Sequence, residues 1–193
     1  MPAGDLCTLT DVQTYLGDAT SQSAGVLGAL ITQVSAWVQS YCERNLSGIL
    51  TYNWMTDGHG GDTLPLPEGP VVSILSVSID GNPVLPSDGQ SSGWLADDRS
   101  ISIIGGQFCA GRKNVLITYT AGYPYVWSVS AITGLPMELQ FAVVETVALR
   151  FKGRTRIGKN SEGMAGQSTS YDNSMAPKDA MYTLNKYKKN VPW

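Results

Sequence analysis

The stretch richest in chemically capable residues is Gly153-Arg154-Thr155-Arg156-Ile157-Gly158-Lys159-Asn160. It follows the G-x-x-x-x-G-K order of a phosphate-binding loop. Three features exclude that chemistry. Asn160 stands where a Ser or Thr hydroxyl would hold magnesium, and the segment follows a helical pattern rather than a strand. Ser161-Glu162-Gly163-Met164 does not begin a helix whose N-terminus could meet a phosphate. What remains is a dense run of cations: Arg150, Lys152, Arg154, Arg156 and Lys159. Such a run suits the backbone of a nucleic acid, an acidic protein surface, or simple solvation as a loop. No aromatic residue is interleaved between Lys152 and Lys159, so stacking on single-stranded bases is not supported.

Asp57, His59 and Asp62 are donor types of a metal loop, but in a Gly-rich turn aspartates usually bond their own backbone. His59 is the single histidine, and no G-x-S-x-G accompanies it, so no catalytic constellation is signalled. Cys7, Cys42 and Cys109 are odd in number and widely spaced, without a C-x-x-C. A four-ligand zinc site is therefore excluded, and the three read as reduced thiols. No enzyme activity, cofactor or metal is expected. Two aromatic features are open to more than one reading. Tyr123-Pro124-Tyr125-Val126-Trp127 is a core anchor or an interface patch, and Trp193, in a Val191-Pro192-Trp193 end that cannot continue a helix, suits burial in a partner.

The net charge of −3 hides an asymmetry. Residues 1–149 carry four basic and thirteen acidic side chains, a net −9, while residues 150–193 carry nine and three, a net +6. An acidic body with a basic tail points to a tail that meets an acidic surface or passes near nucleic acid. The 193 residues, 42% hydrophobic and 15% charged, are enough for one domain with its own core. No apolar run reaches the ~18 residues a membrane helix needs, and the first residues lack the basic and apolar regions of a signal peptide. Membrane proteins, secreted disulfide scaffolds and coiled coils are excluded.

The elements that must position these residues follow from periodicity. Thr10, Asp11 and Gln13 predict a capped first helix that breaks at Gly17-Asp18-Ala19-Thr20. Val26, Leu27, Leu30, Ile31, Val34, Trp37, Val38, Tyr41 and Cys42 recur at helical spacing and predict a second helix ending near Glu43-Arg44-Asn45. Residues 49–120 switch to alternation, with Leu50, Tyr52 and Trp54, then Val71 to Ile79, then Val115, Ile117 and Tyr119, and Asp80-Gly81 reads as a hairpin turn. A Gly/Pro/aromatic loop fills 121–135. A third helix spans 136–152, opened by Pro136. Residues 153–176 read as a flexible polar loop, and 177–193 as a last helix and tail. The fold class is α+β: a small bundle of about four helices with an antiparallel β region inserted between the second and third, the whole of 1–193 forming a single domain with its N-terminal helices in 1–48.

Taken in order, several of these pieces resemble the head–tail connector proteins, also called adaptor or head-completion proteins, of long-tailed double-stranded DNA phages. The resemblance runs from Leu9-Thr10-Asp11-Val12 through Ala36-Trp37-Val38-Gln39-Ser40-Tyr41-Cys42-Glu43-Arg44 and Asp57-Gly58 to Leu64-Pro65-Leu66-Pro67-Glu68-Gly69-Pro70-Val71. It continues with Ser73-Ile74-Leu75-Ser76-Val77 and Tyr119-Thr120-Ala121-Gly122-Tyr123-Pro124, then Pro136 and Leu139. It closes with Ile157-Gly158, Ser161, Ser168-Thr169-Ser170-Tyr171, Leu184 and Tyr187. Residues 86–99 and 121–135 are long between matching pieces, so contacts are not carried over there.

The resemblance implies a structural virion protein without catalysis, made in the cytoplasm of a host bacterium and located in the head–tail neck. It implies a homo-oligomeric ring, a dodecamer, that sits below the portal protein and extends the DNA channel without sequence-specific binding. It implies a tail-side stopper or tail-completion protein as the other partner, and a C-terminal segment reaching the portal or a neighbouring subunit. The candidate docking residues are Arg150, Lys152, Arg154, Arg156, Lys159, Tyr171, Lys186, Tyr187, Lys188, Lys189 and Trp193. The other readings are a DNA-binding or packaging accessory protein using the basic C-terminal segment, a stopper or tail-completion protein, and a small hydrolase.

Overall fold

A computed structural model of the chain describes residues 4–17, 21–128, 131–154, 161–164, 167–170 and 175–189. The fold is α+β, with four helices and antiparallel sheets. Two compact units divide the chain. A helical unit comprises Met1–Ser47 and Tyr125–Lys188, and a β unit comprises Gly48–Pro124 and Lys189–Trp193.

In the helical unit, α1 (Leu9–Leu16) is capped two residues ahead of the cap expected from sequence. Thr8, in extended geometry, is the N-cap. Its Oγ1 accepts from the Asp11 N–H at 3.1 Å, while the Asp11 carboxylate accepts from the Thr8 N–H at 3.0 Å. Thr10 is already inside the helix, so the reciprocal pair is Thr8/Asp11 rather than Thr10/Gln13. Aspartate reaches back as glutamate does in the usual box. Gly17 ends the helix with φ 66°, a left-handed cap that glycine adopts without a Cβ clash.

The next helix, α2 (Ser21–Cys42), buries Leu27, Ile31, Val34, Val38 and Cys42 along one stripe. Val26 falls off that stripe and is exposed. Glu43, at φ 55°, stops the helix. The third, α3 (Met137–Gly153), buries Leu139, Ala142, Val143, Val144, Thr146, Val147, Ala148 and Phe151, which lie on more than one face. Accordingly it packs against α1, α2 and the last helix, α4 (Lys178–Lys186). The buried Thr146 hydroxyl donates to the Ala142 carbonyl at 2.7 Å, so its polarity is satisfied within the helix.

The β unit holds two sheets. One has strand order β1-β7-β3-β4, from β1 (Ile49–Gly58), β7 (Gly111–Gly122), β3 (Val71–Ile79) and β4 (Asn82–Val84). The other has order β2-β6-β5, from β2 (Thr63–Pro65), β6 (Ser100–Ile104) and β5 (Gly93–Ala96). The expected Asp80-Gly81 hairpin turn joins β3 to β4, both residues at positive φ as a two-residue turn requires. Along β7, Val115, Ile117, Tyr119 and Ala121 are fully buried and close a core with Leu64, Leu66, Val77, Ile101 and Phe108. The alternate residues Leu116, Thr118 and Thr120 stay half-exposed. Gly122 sits at φ +127°, and a Cβ there would fall 2.2 Å from the Gly48 carbonyl oxygen; the chain passes too closely for any other residue.

Two segments expected as loops carry short strand pairs in the helical unit. β8 (Val126–Trp127) pairs with β9 (Ile132–Thr133), and β10 (Ser161–Met164) pairs with β11 (Gln167–Ser170). Backbone pairing over two to four residues needs no apolar alternation, so hydropathy does not reveal it.

Candidate functional site

The basic residues singled out from sequence separate into three environments. The first lies in the helical unit. Trp37 and Tyr41, one turn apart on α2, stack with ring centroids 5.6 Å apart and planes at 26°. The Arg150 guanidinium, from the last turn of α3, lies 5.1 Å from the Trp37 ring centre. The Lys188 ammonium lies 4.5 Å from the Tyr41 ring centre. Tyr41 donates its hydroxyl proton to Asn185 Oδ1 at 2.6 Å, which fixes the ring. The result is a ladder of cation, aromatic, aromatic, cation. Each cation–ring contact of this kind is worth ~0.5–1 kcal/mol at exposed sites.

Arg150 is incompletely satisfied. Its Nε donates to the Met175 carbonyl at 3.4 Å, but its buried Nη2 has no partner. Burial pulls the guanidinium below the usual arginine value. Neither Arg150 nor Lys188 faces a carboxylate among the described residues. This ladder is a positive site held in shape by aromatic faces, with Lys188 exposed at one end and Arg150 Nη2 buried at the other.

The second environment is internally neutralised. Tyr187 is buried and donates its hydroxyl to Glu138 Oε1, and Lys186 Nζ lies 3.6 Å from Glu138 Oε2. The Tyr187 hydrogen bond, aided by the Lys186 charge, holds the Glu138 carboxyl below its ordinary value. In the β unit, Lys189 Nζ reaches the buried Glu68 at 2.9 Å. Removing Lys189 would leave that carboxylate buried without its cation. These pairs make Lys186, Tyr187 and Lys189 structural as well as candidate docking residues.

The third environment is plain surface. Lys152 is exposed, and Arg154 folds back over Phe151 at 3.6 Å, donating Nη1 to the Phe151 carbonyl at 2.8 Å. Arg156, Lys159, Tyr171 and Trp193 lie outside the described residues. Sequence reasoning assigned Trp37 and Tyr41 to the helix core and missed Asn185. The available signal was the aromatic pair at four-residue spacing on the margin of an aliphatic stripe.

The other sequence candidates serve local structure. Asp57 Oδ1 accepts the Lys113 N–H at 2.6 Å, a bond from β1 to β7 rather than to its own turn as expected. Cys7 and Cys42 are buried, with burial pushing the Cys42 thiol up to about 11, and Cys109 is exposed. Tyr123 is buried in the β unit, whereas Tyr125 anchors the helical unit by donating to the Asp5 carbonyl at 2.6 Å. Among the described residues no three His, Cys, Asp or Glu side chains gather as a metal site, and no helix is long and apolar enough to cross a membrane.

A family model described as head completion protein matches residues 5–190. No curated protein matches the chain. Among solved structures, a chain from the neck of an empty GTA particle computed with C6 symmetry is similar at TM-score 0.54 and 18% identity, covering 100% of this chain and 95% of that one. A chain from the virion of a native gene transfer agent particle gives 0.55 and 16%, with 100% and 94% coverage. One from the native neck computed with C12 symmetry gives 0.50 and 19%, again with 100% and 94%. At these identities the likeness is one of fold.

Proposed function

The chain belongs to the head completion protein family, and from that premise we propose that it is a non-enzymatic structural protein of a virion neck. Each protomer is a single connector domain, a helical bundle with the β region inserted after its second helix. Copies form a dodecameric ring below the portal, extend the DNA channel and present a platform to a stopper or tail-completion protein. The protein is made in the bacterial cytoplasm. The observation that carries this reading is the family match along nearly the whole chain. Necks in the similar structures were computed with C6 and C12 symmetry, which supports a ring.

The Arg150–Trp37–Tyr41–Lys188 ladder is the docking site toward an acidic surface of the portal or of the next copy. Its shape is held by neutral aromatic faces, so its charge remains available for a partner. A DNA-binding accessory would draw on the whole basic tail, yet Lys186 and Lys189 already neutralise Glu138 and Glu68.

Electron microscopy of particles made without this chain tests the placement. Filled or leaking heads beside free, complete tails are expected; normal tailed virions would overturn it. Supplying Arg150→Ala/Lys188→Ala protein tests the ladder. It should fold normally and enter particles at least ~tenfold less well, a loss equal to about 1.4 kcal/mol. Full incorporation would remove the ladder from docking.

A further inference from the structure

A sheet edge offers unpaired N–H and C=O groups to any passing strand, and folded proteins blunt such edges with proline, charge, bulges, short strands or a cover. The sheets of the β unit apply these devices to every edge but one among the described residues. β4 is three residues long and contains Pro83, and β2 is three residues long and ends at Pro65. The outer side of β5 is covered, since Trp94 bridges to Pro86 and exchanges backbone bonds with Leu85 and Ser87. The part of β3 beyond β4 is broken by two register shifts, at Val72 and Leu75.

Over Ile49–Thr56, before the charge and register shift at Asp57, β1 has none of these. It is ten residues long, and Ile49 to Thr56 contain neither charge nor proline. It runs in unbroken register with β7 from Ile49↔Gly122 to Thr56↔Val115. No strand of the described residues pairs with its other side. At its far end lies a hollow of about 250 Å³, where the apolar Trp54, Met55, Leu64 and Pro65 sit beside the polar or charged Asp57, His59 and Lys113.

We propose that the outer edge of β1 is a strand-addition site for an extended segment of a different neck protein. That segment is uncharged where it lies along Ile49–Thr56 and places one bulky apolar side chain in the hollow. Main-chain bonds along such an edge give affinity, and a side-chain pocket gives specificity. The choice of a different protein rests on the ring reading above. A ring needs head-to-tail contacts; the other β-unit edges of a second copy are blunted, and its β8–β9 and β10–β11 pairs, two and four residues long, are too short to run along Ile49–Thr56. Pairing of β1 with a second β1 is two-fold and closes at two copies, so it cannot run around a ring.

Hydrogen exchange of the full chain, free and in assembled particles, tests the site. In particles the β1 amides should exchange at least ~tenfold more slowly than in the free chain. Thr51→Lys/Met55→Lys, which puts cations on two exposed positions, should enter the ring but keep the free-chain rate; Thr51→Lys alone is the milder second variant. Leu85→Lys, exposed and outside β1, should behave as the unmodified chain. Unchanged β7 exchange certifies that each variant is folded. Equal β1 rates in particle and free chain would overturn the site, as would full protection of the lysine variants. Protection already present in a free chain of doubled mass would assign the edge to a β1–β1 dimer instead. A chain missing from the neck altogether would defeat the ring reading itself, and microscopy separates that outcome from the others.

Discussion

In the helical unit the core closes around α3, and in the β unit around β7. α3 buries eight residues on several faces, so neighbours must surround it, and α1, α2 and α4 do. β7 buries every second residue, from Val115 to Ala121, and leaves Leu116, Thr118 and Thr120 on its other face. A buried helix exhausts its own backbone hydrogen bonds; a strand hands half of its bonds to the next strand, and the last strand has none to hand them to. The two units are therefore equipped for different recognition. The helical unit carries long cationic side chains beside its aromatic pair, Arg150 and Lys188. The β unit also has a backbone edge to offer.

The largest effects should come from breaking each centre separately. Ile117→Ala and Leu139→Ala each remove a fully buried side chain and should cost ~2–5 kcal/mol. Hydrogen exchange should place the loss from Ile117→Ala mainly in β1, β3 and β7, and that from Leu139→Ala mainly in α1 to α4. Equal loss in both units from either change would show that they open as one and would break the comparison.

A glycine in each unit sharpens it. Gly122→Ala forces a Cβ against the Gly48 carbonyl at positive φ and should destabilise by ~1–3 kcal/mol. Gly25→Ala, in α2 with open space around it, should stabilise by ~0.5–1 kcal/mol. Denaturant midpoints moving in the same direction would contradict this reading.

The smallest effect concerns pH. Asp5 is buried in the helical unit, its Oδ2 lacks a partner, and burial pushes its carboxyl above 3.8. The folded state then holds this proton more tightly than the unfolded state. Stability from this group is present below pH 3.8 and falls as pH rises through the raised value. Asp5→Asn should flatten that part of the stability–pH curve; an unchanged slope would refute the assignment.

Much of the architecture was legible because burial imposes a period. The α2 stripe, the Asp80-Gly81 turn and the alternation along β7 all follow from residue type and spacing. Local competition decided the rest. Thr8 and Thr10 are both capable caps, and the backbone geometry of Thr8 chose between them. The β8–β9 and β10–β11 pairs are too short to leave a period. The candidate site was legible by half. The cations stood out, but Glu138 and Glu68, distant in sequence, determine which of them are neutralised. Trp37 and Tyr41 share the spacing of core residues, and packing at the stripe's margin gave them another role.

The pairing of Ile49 with Gly122 has a consequence for how such a chain can evolve. The polypeptide enters and leaves the 48–124 part of the β unit on the same rung and returns to the unit only at Lys189, so that part is a cassette with adjacent ends. Recombination at the codons near Gly48 and Pro124 could replace the cassette while leaving the flanking helices their original partners.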